Sequence, residues 1–255
     1  MDKLPTVQAL EGLADIYSTL AVEPPDRLLI CSMAVLTATG FRIGELLTLP
    51  LDCEIEETRD GKLRYGLRFY KKKPRSSERQ FAIKWVTPKG AELVKKALAE
   101  IKEITAPFRK QAKLLEQTPN VFPLIGYQWD QKLSAKEAAD LIGFNSNKAL
   151  YAAVKNRQSD GKSFFYYVGD ISNYLFSRRV ERLWTLKRND GTYQMLSETL
   201  LLAPKNFFHG QRGVIKLLIE PLTDGFISDF LTGKSGIKSV FERFNLKEPD
   251  GIFCR

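Results

Sequence analysis

The sequence predicts a mainly helical α+β chain: a helical core with a small antiparallel β-hairpin, interrupted by a second module of short helices and strands. Three observations predict it. Apolar residues recur at helical spacing over several stretches, with Leu93, Val94, Ala97, Leu98, Ile101 and Ile104 as one such run. Strict alternation marks half-buried strands at Leu63, Tyr65, Leu67 and Phe69 and again at Phe81, Ile83 and Trp85. A different pattern, of short capped helices, then begins after the linker-like Pro123-Leu124-Ile125-Gly126. The chain accordingly divides into segments 1–125, 126–185 and 186–255, the last expected to be a helical return.

In chain order, Thr6 is placed to cap a first helix with Val7, Leu10, Leu13 and Ile16 on one face. Pro24-Pro25-Asp26 breaks it and opens a second helix that stops at Gly40, the residue best suited to a left-handed helix end. Another helical stretch starts at once, carrying Ile43, Leu46, Leu47 and Leu49 towards a core. Arg42 therefore stands at a helix–helix corner beside the N–H groups of the new helix, an arrangement suited to phosphate oxygens. An acidic link at 52–57 leads to the two alternating strands, joined by a polar, charged loop at 71–80. Thr87-Pro88 starts the next helix, and 107–121 holds a separate short basic helical segment.

Charge points to the partner. The 255-residue chain has a net charge of +9, and between Arg59 and Lys89 there are eleven Lys/Arg against two acids, a local excess equal to that of the whole protein. Such a cluster suits double-stranded DNA better than an evenly mixed solvated face. Three scattered cysteines, Cys31, Cys53 and Cys254, support neither a disulfide framework nor a zinc site. No signal peptide or membrane-length apolar run is visible, so no membrane is expected and a cytoplasmic location fits best. No Gly-rich phosphate loop, metal cluster or Ser/His/Asp set is apparent, and neither a metal nor a cofactor is expected.

The stretch Thr39-Gly40-Phe41-Arg42-Ile43-Gly44-Glu45-Leu46-Leu47-Thr48-Leu49 resembles the first arginine motif of tyrosine recombinases, the phage-integrase family. The order of helix, corner, helix, acidic link, basic hairpin and helix over residues 6–104 is also found early in that family's catalytic domain. The resemblance implies transesterification through a 3′-phosphotyrosyl link, with Arg42 as first arginine and Glu45 as its support. It implies a lysine near the hairpin turn as general acid; of Lys71, Lys72 and Lys73, the one nearest Pro74-Arg75-Ser76-Ser77 is Lys73. Lys71, Lys72, Arg75 and Arg79 would then contact DNA. The family's H-x-x-R helix is not matched by His209-Gly210-Gln211-Arg212, where glycines replace a continuous apolar helix, and no tyrosine follows Tyr193. What is implied is a fragment of a recombinase, inactive alone, whose full-length parent is a homo-oligomer on DNA.

Ser134-Ala135-Lys136-Glu137 is a capping-box signature opening a short helix. Gly143 provides a turn, a second helix runs from 146 to 155, and Phe164-Phe165-Tyr166-Tyr167-Val168 reads as a strand before a last helix at 171–175. This order and wording resemble excisionase-like winged helix-turn-helix domains. The resemblance implies a second helix in a major groove, with Asn145, Asn147, Lys148 and Lys155 towards bases and Asn156 and Arg157 near phosphates. A non-enzymatic DNA-binding regulator built on this module is the alternative reading.

Overall fold

The computed structural model describes residues 6–71, 81–187, 191–209, 212–233 and 238–247. Helix α1 (Val7–Asp15) starts at Thr6, whose side chain accepts the Ala9 N–H, and runs into a π-turn at Ile16–Leu20. Its buried face is Ala9, Leu13, Ile16 and Tyr17, whereas Val7 is 70% exposed and Leu10 also faces out. The expected face is thus rotated. Gly12 explains the rotation, because Phe241 packs so close that a Cβ there would lie 2.6 Å from its ring.

Helix α2 (Pro24–Thr39) ends at Gly40 with φ 65°, as expected, and α3 (Ile43–Leu46) is a single turn. Strands β1 (Glu54–Arg59), β2 (Lys62–Tyr70) and β3 (Phe81–Val86) form an antiparallel sheet in the order β1-β2-β3. The stretch read as an acidic link is therefore a strand, joined to β2 through Asp60-Gly61, both with positive φ. Two of its three glutamates are matched from the neighbouring helix α4 (Pro88–Gln117): Lys102 pairs with Glu54 and Lys95 with Glu56. The α4 helix is continuous through Pro107, so the separate basic segment expected after 107 does not exist. Just before and after the proline, Thr105 donates to the Ile101 carbonyl and Arg109 to that of Lys102.

The second module follows the expected order: β4 (Lys132–Ser134), α5 (Ala135–Ile142), α6 (Asn147–Ala153), β5 (Gln158–Ser159), β6 (Phe164–Tyr167) and α7 (Val168–Arg178). Its strands form a sheet in the order β4-β6-β5. Residues 186–255 depart from the helical expectation. From β7 (Arg182–Lys187), which straddles that boundary, the chain goes on to make β8 (Tyr193–Met195), β9 (Leu202–Lys205) and β10 (Ile215–Pro221) before α8 (Asp224–Thr232) and α9 (Val240–Arg243). The strands are short, β9 contains Pro204, and Ile215-Lys-Leu-Leu-Ile carries no clean alternation, so periodicity does not reveal them. The molecule is an α+β fold whose sheets are small and antiparallel.

Two large apolar clusters organise these parts. The first joins α1, α2, α4 and the α3 corner to Leu200, Leu201, Leu222, α8 and α9. The second lies within the α5–α7 module but also takes Leu115 from α4 and Ile215 and Leu218 from β10. No described helix is long and apolar enough to cross a membrane.

Candidate nucleic-acid interface

The arginine corner is fixed from both sides. Thr39 is buried, donates its hydroxyl to the Val35 carbonyl at 2.7 Å and accepts the Phe41 N–H at 3.3 Å. The buried Phe41 ring meets Phe69 of β2 edge-on at 5.1 Å. This contact brings Arg42 to the end of β2 at which Lys71 begins. Arg42 is exposed, and its guanidinium makes no ion pair among the described residues. Helix α3 has only one turn, and the Glu45 carboxylate accepts the Arg42 N–H at 3.0 Å.

Lys71 is half-buried at the strand end; Lys72, Lys73, Arg75 and Arg79 lie outside the described residues. The strand end itself is well anchored. Tyr70 is buried with its ring 4.1 Å from Phe81 and clusters with Leu183 of β7. Arg68 pairs with Asp52 at 2.6 Å while lying over the Phe81 ring.

A second basic surface lies on the α5–α7 module. Ser134 and Glu137 cap α5 reciprocally, at 3.2 Å and 2.7 Å, and these hydrogen bonds hold the Glu137 carboxyl below its ordinary pKa. Gly143, with φ 99°, ends α5, and the Ser146 hydroxyl accepts the Ala149 N–H to start α6. Leu150 and Val154 turn into the core, which leaves Asn147 and Lys148 exposed on α6 and Lys155 exposed just beyond it. Arg157, also exposed, lies 5.3 Å from the Tyr151 ring and 4.7 Å from that of Phe164. Those two aromatics hold the guanidinium at the root of the β5–β6 wing, and sequence reading missed them. The signal available was their position on either side of Arg157. Asn145 stands apart from this set. It sits in the turn, where a Cβ on Gly213 would fall 2.5 Å from its Oδ1, so it lies at the seam with β10.

His209 follows a turn after Phe207-Phe208 and donates its N–H to the Asn206 carbonyl; it is not on a helix. Burial pushes the Tyr17 phenol up to about 12, and burial also raises Tyr65, Tyr166 and Tyr174. None of these four is an activated nucleophile. Cys31 and Cys53 are buried with thiols pushed up to about 12, so they are inert at neutral pH. Among the described residues no group of three or more His, Cys, Asp or Glu is placed to hold a metal. No protein-family model, curated protein or solved structure matches the chain.

Proposed function

We propose that this chain is part of a tyrosine-type site-specific recombinase, an integrase that cuts and rejoins DNA through a 3′-phosphotyrosyl intermediate. The chain itself binds double-stranded DNA and does not supply the nucleophile, since no tyrosine follows Tyr193. One observation carries the reading: the arginine corner and the lysine-bearing strand, distant in sequence, are pinned together by the Phe41–Phe69 contact. Within this reading Arg42 neutralises the non-bridging oxygens of the scissile phosphate, and Glu45 fixes the backbone that carries it. Lys73, or its neighbours Lys71 and Lys72, protonates the leaving 5′-oxygen. Arg75 and Arg79 add phosphate contacts, and no cofactor takes part. The full-length protein acts as a homo-oligomer on DNA.

The α5–α7 module adds a second grip, with Asn147 and Lys148 of α6 in a major groove and Lys155 and Arg157 at the flanking phosphates. This module supports the second reading, a non-enzymatic regulator, because its cap, turn, helix and aromatic-held Arg157 are complete without the arginine corner.

A salt titration of duplex binding tests the proposal. Changing Lys71, Lys72 and Lys73 together to alanine is expected to weaken binding and to flatten the slope of log affinity against log salt by about two to three. An unchanged slope, with binding lost instead on Lys148→Ala and Arg157→Ala, favours the regulator.

A further inference from the structure

The outer face of the β1-β2-β3 sheet carries surface that neither grip uses. The register sets Trp85 opposite Gly66, Ile83 opposite Arg68 and Phe81 opposite Tyr70, and directly opposed residues share a face. Phe81, Ile83 and Trp85 are 38%, 40% and 39% exposed. Sequence alternation points these side chains towards the core, but Tyr65 and Leu67 of β2 occupy that side and force the β3 row outward. Gly66 lets the row lie low over the sheet, since a Cβ there would fall 2.8 Å from Trp85 Cε3 and 2.9 Å from Ile83 Cγ2.

Where β3 ends at Val86, the edge of the sheet opens into a cleft of about 710 Å³ beside the start of α4, lined by Leu63, Tyr65, Val86 and Ala91 from the helix side and by Lys62, Arg64 and Trp85 from the outer side. That volume is in the range that encloses small planar ligands. Lys62 and Arg64 line the cleft on either side of Leu63, which is 65% exposed. Neither cation makes an ion pair among the described residues, whereas Lys95 at the same rim is matched by Glu56. Glu92 is the one carboxylate lining the cleft.

We propose that this cleft binds an unpaired nucleotide of single-stranded nucleic acid, with the base against the Trp85 indole and the phosphate on Arg64 and Lys62. Two unmatched cations call for an anion, and an exposed indole calls for a planar group. One phosphodiester-linked base supplies both. An intact duplex hides its base faces within the stack, so the ligand is single-stranded. The inference rests on the DNA-binding reading only in taking nucleic acid, in keeping with the net charge of +9, as the anionic partner. The cleft begins at Trp85, opposite Gly66, and extends towards Lys62, whereas the arginine corner meets β2 at Phe69, roughly 10 Å from Gly66 along the strand. The two sites can be tested separately.

The test is fluorescence anisotropy on the full chain with a short labelled oligothymidine and, in parallel, a labelled duplex. Trp85→Leu is expected to weaken oligothymidine binding about tenfold, the effect of losing one base–aromatic stack. Trp85→Phe is expected to retain most of the affinity, with duplex affinity unchanged in both Trp85 variants, and Arg64→Ala to lower the salt slope of oligothymidine binding. Leu and Phe both keep apolar bulk over Gly66, so a difference between them reports planarity and not folding. Equal oligothymidine binding by the parent chain and Trp85→Leu would overturn the proposal, as would no binding by the parent chain. Capture of an acidic Glu/Phe peptide in place of the oligonucleotide would overturn it in favour of a protein partner. Trp85-dependent oligothymidine binding without duplex binding would leave this site standing and remove the duplex reading.

Discussion

Arg42 and Glu100 show two opposite uses of charge by single residues. Arg42 is exposed and makes no ion pair among the described residues, so its charge is free for a ligand and contributes little to folding. Arg42→Ala is expected to change stability by less than about 0.5 kcal/mol, and to lower the salt slope of duplex binding by about one. Thermal melts and a salt titration of the same variant check both halves. Glu100 instead is half-buried, and Arg27 of α2 donates to its carboxylate and also to the Tyr17 carbonyl. The Arg27 hydrogen bond holds the Glu100 carboxyl below its ordinary value of 4.5. For an acid with a depressed folded pKa, the contribution to stability is present above the unfolded value and lost as pH falls through the folded one. Glu100→Gln is expected to cost about 1–3 kcal/mol at neutral pH, and much less once the pH is below the folded pKa. Urea midpoints at neutral and strongly acidic pH decide this; an equal loss at both would remove the assigned role.

Elements were legible where local chemistry alone sets them. Gly40 and Gly143 end their helices in the left-handed region, and Ser134 with Glu137 forms the reciprocal cap that its spacing announces. Ser134→Ala is accordingly expected to destabilise the chain by about 1 kcal/mol and to increase amide exchange first in α5, with Asn147–Ala153 following. Loss of protection confined to other elements would contradict that assignment. Elements that depend on a distant partner were not legible. Glu54 and Glu56 read as a solvated link until Lys102 and Lys95 of α4 are known to face them. The outward turn of Phe81, Ile83 and Trp85 is fixed by the register with β2, which period-two alternation cannot supply. Pro107 reads as a break in sequence, but α4 runs on through it, its apolar face held by Ile101, Ala112 and Leu115 in the cores.

At the scale of the whole molecule, the two cores are not independent. Helix α4 gives Val94 and Leu98 to the first and Leu115 to the second. The strand that returns the chain, β10, puts Ile215 and Leu218 into the second core and leads straight to Leu222 in the first. Thermal unfolding is therefore expected to be a single cooperative transition, with calorimetric and van't Hoff enthalpies in agreement. Two resolved transitions would mean that the clusters melt separately. The sequence marked out the candidate site in the same uneven way. Arg42 and Lys148 stand out as polar residues within recognisable helical contexts, whereas Arg157's aromatic supports and the cleft at Trp85 emerge only once strands are paired.

The seam between Gly143 and Gly213 has a further consequence for anyone who would transplant the winged module. A methyl on Gly143 would fall 2.0 Å from the Val214 carbonyl oxygen, and one on Gly213 would fall 2.1 Å from that of Gly143. Two backbones touch there with no room for side chains, and the next residue along, Ile215, fills the module's own core. The portable unit is thus discontinuous: residues 126–185 cut out by themselves leave behind both the strand that completes their interior and the glycine that receives their turn. A graft that carries the module into another host must bring 213–218 with it, and the two glycines must travel as a pair.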